Sequence, residues 1–292
     1  MNDAVRVLLG ALIALSLFYV ARWYLLERRR VRAAKAAPAA SQAALGFVTN
    51  FFDTLGVGSF APTTSVFKLF RMVDDERIPG TLNAGHALPT VTQALIFIAA
   101  VGIDPTTLVT MIAASMLGAW LGAGTVARLP RRVIQVGMGV ALLVAAALFV
   151  AKNLALIPGG GDALKLGGVL LAIGIGVNFL LGALMTLGVG LYAPCLILVS
   201  LLGMNPLAAF PIMMGSCAFL MSVAGLRFIT AQRYDLRAAL GLGGIPGVLI
   251  AAFVVKELPT IWLRWLVVVV VVYAAVTMLR AASKPAGGAP PA

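Results

Sequence analysis

Charge is scarce in this chain: Asp, Glu, Lys and Arg make up 11% of its 292 residues, where a soluble domain carries about a quarter. Cysteine is scarcer still. Cys195 and Cys217 are the two present, both inside apolar stretches, which excludes a disulfide framework or a thiolate cluster. They read as small core residues. The single histidine, His86, excludes a His-rich metal site. No Gly-x-x-x-x-Gly-Lys-Ser/Thr loop occurs, which excludes an ATP-driven pump within this chain. No cofactor and no metal are expected.

What fills the space is apolar. Hydrophobic residues reach 61% and the mean hydropathy is +1.03, with runs long enough for the roughly 20-residue helix that crosses a bilayer. The chain reads as an all-α polytopic membrane protein. Its net charge of +12 does not make it a nucleic-acid binder, because the 22 Lys and Arg lie mostly between apolar runs. There they report topology.

Composition divides the chain into an N-terminal transmembrane helix over 1–26, a basic cytoplasmic linker over 27–42 and a first transmembrane repeat over 43–151. An external loop over 152–163, a second repeat over 164–282 and a disordered tail over 283–292 follow. The first apolar run is no signal peptide, because its positive charges ("ERRRVRAAK") follow the apolar core instead of preceding it. Uninterrupted spans are expected near 78–101, 106–127, 132–151, 206–229, 236–255 and 260–280.

Each group of three spans is preceded by a longer apolar block, and each block carries the same motif. "TLGVGSFAP" starts at Thr54 and "TLGVGLYAP" at Thr186, 132 residues on. At that offset Met72 also matches Met204, Pro79 matches Pro211 and Val91 matches Val223. Charge decides how the blocks run. "KLFRMVDDERIP" and "RFITAQRYDLR" each carry three Lys or Arg, whereas "VGIDPTT" and "LLGMNP" carry none. Corresponding connections of the two halves thus carry opposite signatures. If each block is a hairpin returning to its own side, sixteen Lys and Arg fall inside and four outside, as the positive-inside bias requires. The expected architecture is two inverted repeats, each a broken-helix hairpin plus three transmembrane helices, preceded by one N-terminal helix.

Irregular backbone survives in a membrane only where it is buried in protein or faces a cavity. Gly56, Gly58, Gly188 and Gly190 let the chain turn, and Pro62 and Pro194 suit the first turn of the helix that follows. Two helix N-termini aimed at the centre make a seat for a small anion. Packing glycines would be the bland alternative.

"GFVTNFFDTLGVGSFAPTTSVFKLF" followed by "DDERIPGTLNAGHALPTVTQALIF" resembles the TauE/SafE family of sulfite exporters, also called toluene sulfonate uptake permeases. The similarity is read over about 43–280. It implies transport of sulfite, sulfonates or related sulfur anions across the bacterial inner membrane.

Among the polar residues, Asp53 stands directly before the first motif. An intramembrane carboxylate is expensive and functional by default, so Asp53 is the candidate for coupling protons to transport. A cap on the next turn or a pair with Lys68 is the alternative. Thr54, Gly56, Gly58, Asn83, His86, Thr186, Gly188 and Gly190 are the substrate-binding candidates. His86 as an interhelical hydrogen-bond partner, and Asn50 and Asn178 in the same capacity, are the structural alternatives. The reading is a secondary transporter, exporting and proton-coupled, with a passive anion channel as the alternative. An enzyme is not expected, because Asp53 and His86 stand without a nucleophile motif. The expected partners are the small anion and the lipid bilayer, with no nucleic acid and a homodimer as the candidate assembly.

Overall fold

A computed structural model describes residues 2–32, 37–126, 131–154, 156, 161–185, 191–257 and 259–283. Within them the chain is helical, with one isolated bridge between Ala163 and Met204. The helices are α1 (Asp3–Arg32), α2 (Ala40–Thr54), α3 (Phe60–Leu69), α4 (Ile78–Ala100), α5 (Pro105–Val126) and α6 (Arg131–Asn153). They continue with α7 (Gly168–Met185), α8 (Tyr192–Leu201), α9 (Ala209–Thr230), α10 (Leu236–Gly241), α11 (Ile245–Glu257) and α12 (Thr260–Ser283). Among the described residues, four stretches are long and apolar enough to cross a membrane: Asp3–Arg29, Gly168–Met185, Pro206–Thr230 and Leu236–Val255. The outward faces are apolar too. Val7, Trp120, Val169, Phe253 and Val269 are more than 60% exposed, a surface that water would not tolerate over such breadth and that lipid matches. This is a multi-pass membrane protein.

The chain breaks where the glycines and prolines stand. α2 stops at Thr54, Gly56 and Gly58 take φ of +94° and +85°, and α3 begins at Phe60 with Pro62 in its first turn. Only glycine adopts that left-handed backbone at no steric cost. α8 begins at Tyr192 with Pro194 at the matching place. Both pairs fold back. Phe67 near the end of α3 shares a buried cluster with Ile78, Leu82, Ala238 and Leu242, on which Leu45 of α2 also packs. Beyond the end of α8, Leu202 lies against Gly174 near the start of α7.

Packing pairs the first half with the second. α4 and α9 run antiparallel through the centre, with Gly80 against Arg233, Asn83 against Gly225, and Phe97 stacked on Phe210 at 5.1 Å. α2 lies along α11 in the same direction, and α7 lies along α5 in the same direction. Gly46 lets the backbone of Gly241 and Leu242 approach, and Gly182 does the same for Ser115. Any side chain at either position would collide with backbone. α6 packs on α12.

The connections sort into two ends. At one, Gln232 donates to Glu27 (2.7 Å), Arg237 to the Ala37 carbonyl (3.0 Å), and the Asp235 N–H to Thr81 (2.9 Å). At the other, the Asp104 N–H donates to Leu164 (2.8 Å), the Asn205 N–H to Ala163 (2.9 Å), and the Leu166 N–H to Thr107 (3.1 Å). The 101–104 and 231–235 connections, which overlap at the 132-residue offset of the sequence motif, lie at opposite ends.

Two boundaries differ from the sequence reading. α1 does not stop near 26 but runs to Arg32, because Trp23 and Glu27 on its last turns find partners in Tyr234 and Gln232. The span expected over 236–255 is interrupted at 242–244, where Gly243, Gly244 and Pro246 break it into α10 and α11. The carbonyl freed at Leu242 accepts from Asn50 at 2.7 Å, which satisfies a group that would otherwise be orphaned. Of the tail expected over 283–292, Ser283 closes α12, and the rest lies outside the described residues.

Candidate functional site

α2 brings Asn50, Asp53 and Thr54 to the centre of the bundle on one stripe, three and four residues apart. α4 contributes His86 and Gln93 from two turns of one face, and Pro89 between them removes one helical N–H. α3 adds Thr63, and α8 adds Tyr192. Asn50, Thr54, Thr63, His86 and Gln93 are fully buried, and Asp53 and Ser59 nearly so.

Asp53 is held at both oxygens. The Ser59 N–H, at the start of α3, donates to Oδ1 at 2.6 Å, and Gln93 Nε2 donates to Oδ2 at 2.9 Å. The same Nε2 donates to Thr54 Oγ1 at 2.9 Å, and the Thr54 hydroxyl donates to the Asn50 carbonyl at 2.7 Å. Tyr192 donates its hydroxyl to Gln93 Oε1 at 2.9 Å. A chain of hydrogen bonds therefore runs from the first turn of α8, through α4, to the carboxyl at the mouth of α3. Gly56 completes the meeting, lying 3.8 Å from both Leu196 of α8 and Met213 of α9 by the reach of an added Cβ.

A second cluster sits one turn away. Asn50 gives its amide protons to the Gly46 and Leu242 carbonyls, both at 2.7 Å, so its Oδ1 is left to accept from His86 Nδ1 at 2.8 Å. That makes Nδ1 the protonated nitrogen. In the neutral ring Nε2 then accepts from the Thr63 hydroxyl at 3.1 Å. Phe60 covers the ring, with centroids 6.1 Å apart.

The structure thus brings together Asp53, Thr54, Gly56 and His86, with Gly58 at the same break. Asn83 does not join them, because its amide donates to Pro79 of its own helix at 2.9 Å. Thr186, Gly188 and Gly190 lie outside the described residues. Asp53 meets Ser59 and Gln93 instead of Lys68, which is exposed. Four members were not read from sequence: Ser59, Thr63, Gln93 and Tyr192. Two had a signal. Gln93 follows His86 by seven residues, on the same helical face. Tyr192 adds a hydroxyl where the first motif has Phe60.

The site is lopsided. Where the first half has Asn50, Asp53, His86 and Gln93, the second has Gly182, Met185, Ala218 and Gly225 at the matching positions. On that side Ser115 Oγ, Asn178 Oδ1 and Ser216 Oγ are buried with no hydrogen-bond partner. They come from α5, α7 and α9, and Ser115 lies against Gly182 near the end of α7, the helix that precedes the second motif.

Among known proteins, a family model described as "Sulfite exporter TauE/SafE" matches residues 1–149, just over half of the chain. No curated protein matches the chain, and no solved structure does.

Proposed function

Because the chain belongs to the TauE/SafE sulfite exporter family, whose members move sulfur anions across membranes, we propose that it is a secondary transporter of sulfite, a sulfonate or a similar small anion. It acts in the bacterial inner membrane as a proton-coupled exporter, without enzymatic activity. Its two halves act as inverted repeats around one central site. The antiparallel pairing of α4 with α9 supports this reading, as does the placing of corresponding connections at opposite ends.

The observation that carries the proposal is the chain of bonds from Tyr192 to Asp53, which ties the starts of both returning half-helices, α8 and α3, to one buried carboxyl. Helix N-termini favour negative charge by up to about 1 kcal/mol each at exposed sites and more when buried. Here Asp53 already occupies the N–H at the start of α3. An incoming anion and an ionised Asp53 would repel one another, so a proton on Asp53 travels with the anion, and net export follows where the anion's outward driving force exceeds the inward proton gradient. The buried hydroxyls of Ser115 and Ser216, which have no partner, are spare donors for a polar ligand.

The test is transport of sulfite and of an alkyl sulfonate in proteoliposomes at two pH values, with and without an imposed pH gradient. Gradient-driven accumulation is expected for wild type. Asp53→Asn is expected to bind substrate and to exchange it for substrate, yet to lose accumulation. Accumulation by Asp53→Asn at the wild-type level would remove the coupling role. Wild-type flux that ignores the pH gradient would instead favour a passive anion channel.

A further inference from the structure

α1 stands outside the repeated helices, and its seam with α9 opens into a groove that the central site does not use. Phe18 and Arg22 of α1 face Leu226, Arg227, Thr230 and Ala231 at the end of α9 across about 460 Å³. The lining is layered. Phe18 and Arg22 are four residues apart on one helix face, and so are Leu226 and Thr230, which separates the two layers by about 6 Å along each axis. Phe18 and Leu226 lie toward the middle of the bundle. Arg22 and Thr230 lie toward the end that carries Arg233 and Arg237, and Arg227, the residue after Leu226, stands between the layers. The mouth is cationic and its inner part is apolar.

Neither guanidinium has an ion-pair or hydrogen-bond partner among the described residues. The nearest carboxylate on α1, Glu27, is turned inward, 1% exposed and bonded to Gln232. Two like charges share a groove otherwise lined by Phe18, Leu226, Ala231 and Thr230, and no protein anion among the described residues answers them. Cations that share one groove beside apolar side chains call for an anion, and arginine presents the planar fork that grips a phosphate at two points. The apolar layer behind them calls for hydrocarbon.

We propose that this groove binds an anionic phospholipid, with its phosphate between Arg22 and Arg227 and an acyl chain along Phe18 and Leu226. The lipid then bridges α1 to the core of the bundle beside the hydrogen bonds of Tyr19 to Ala84 (2.8 Å) and Trp23 to Tyr234 (3.0 Å). The site stands apart from the transport reading and does not depend on it.

The experiment is native mass spectrometry of the full-length protein titrated with phosphatidylglycerol or phosphatidylcholine, in the absence and presence of millimolar inorganic phosphate and sulfite. Phosphatidylglycerol is expected to be retained over phosphatidylcholine. Each of Arg22→Gln and Arg227→Gln should weaken that retention by about 5-fold, the attraction one basic residue adds at an anionic surface. The Arg22→Lys/Arg227→Lys pair keeps the charge but not the two-point grip and should lose less of the preference than the corresponding Gln pair, which separates a lost site from a misfolded chain. Equal retention of the two lipids by wild type would overturn the proposal. So would displacement of the lipid by phosphate or sulfite, which would mark a soluble-anion site, or unchanged retention in the Gln variants.

Discussion

Gln93 is bonded at both ends of its amide, to Tyr192 through Oε1 and to Asp53 and Thr54 through Nε2. Replacing it with leucine keeps the bulk and leaves buried groups without partners, at about 1–3 kcal/mol for each. Gln93→Leu is therefore expected to lower the thermal midpoint in detergent and to abolish transport. Tyr192→Phe strips one donor and should cost less. In the double variant the two losses should fall short of their sum, because they share one bond; additive losses would show that Tyr192 and Gln93 do not meet. Asp53 and His86 were visible in the sequence because a carboxylate and an imidazole are rare in apolar runs. Ser59, Thr63 and Gln93 were not, because single hydroxyls and amides are common in membrane helices and satisfy themselves locally. What distinguishes these three is convergence from the start of α3, from α3 itself and from α4 onto residues of α2 and α4, a property of the fold.

The broken helices were legible because their cause is local. Glycine at φ of +94° and +85° has no substitute, and a proline three residues into the next helix sets where it restarts. Gly58→Ala meets no neighbouring atom, so its cost is backbone alone, about 1–2 kcal/mol. Gly58→Val adds a branched side chain at the same φ and is expected to abolish transport while the protein still inserts and expresses. Normal sulfite flux by Gly58→Val in proteoliposomes would place the substrate elsewhere. Gly46→Ala and Gly182→Ala are a different kind of change, because backbone of the neighbouring helix fills the space. Each should separate α2 from α11 or α7 from α5, and the expected sign is a sharp loss of thermal stability in both. The interruption at 242–244 was not read from sequence, although Gly243, Gly244 and Pro246 announce it. An apolar span of the right length hid the break, and its repair by Asn50 comes from 192 residues away.

For the whole molecule, charge alone indicated opposed halves, and the packing of α4 against α9 fits that reading. Accessibility tests it directly. In a background lacking Cys195 and Cys217, cysteines at Gly102 and Arg233, both exposed, are expected to react with an impermeant thiol reagent from opposite faces of the membrane. Reaction of both from one face would rule out inversion. The partnership of α2 with α11 and of α5 with α7 has a further result that concerns time. α2 leaves the ribosome early, while the carbonyl that Asn50 caps is made 192 residues later. At roughly 5–20 residues per second, that is a wait of roughly 10–40 s. Throughout it the Gly46 face of α2 has no helix to receive it, and Asn50 can hold His86 but not Leu242. The nascent first half must therefore be sheltered by lipid or by the insertion machinery, and a chain stalled before Leu242 would present degradation systems with an exposed polar notch.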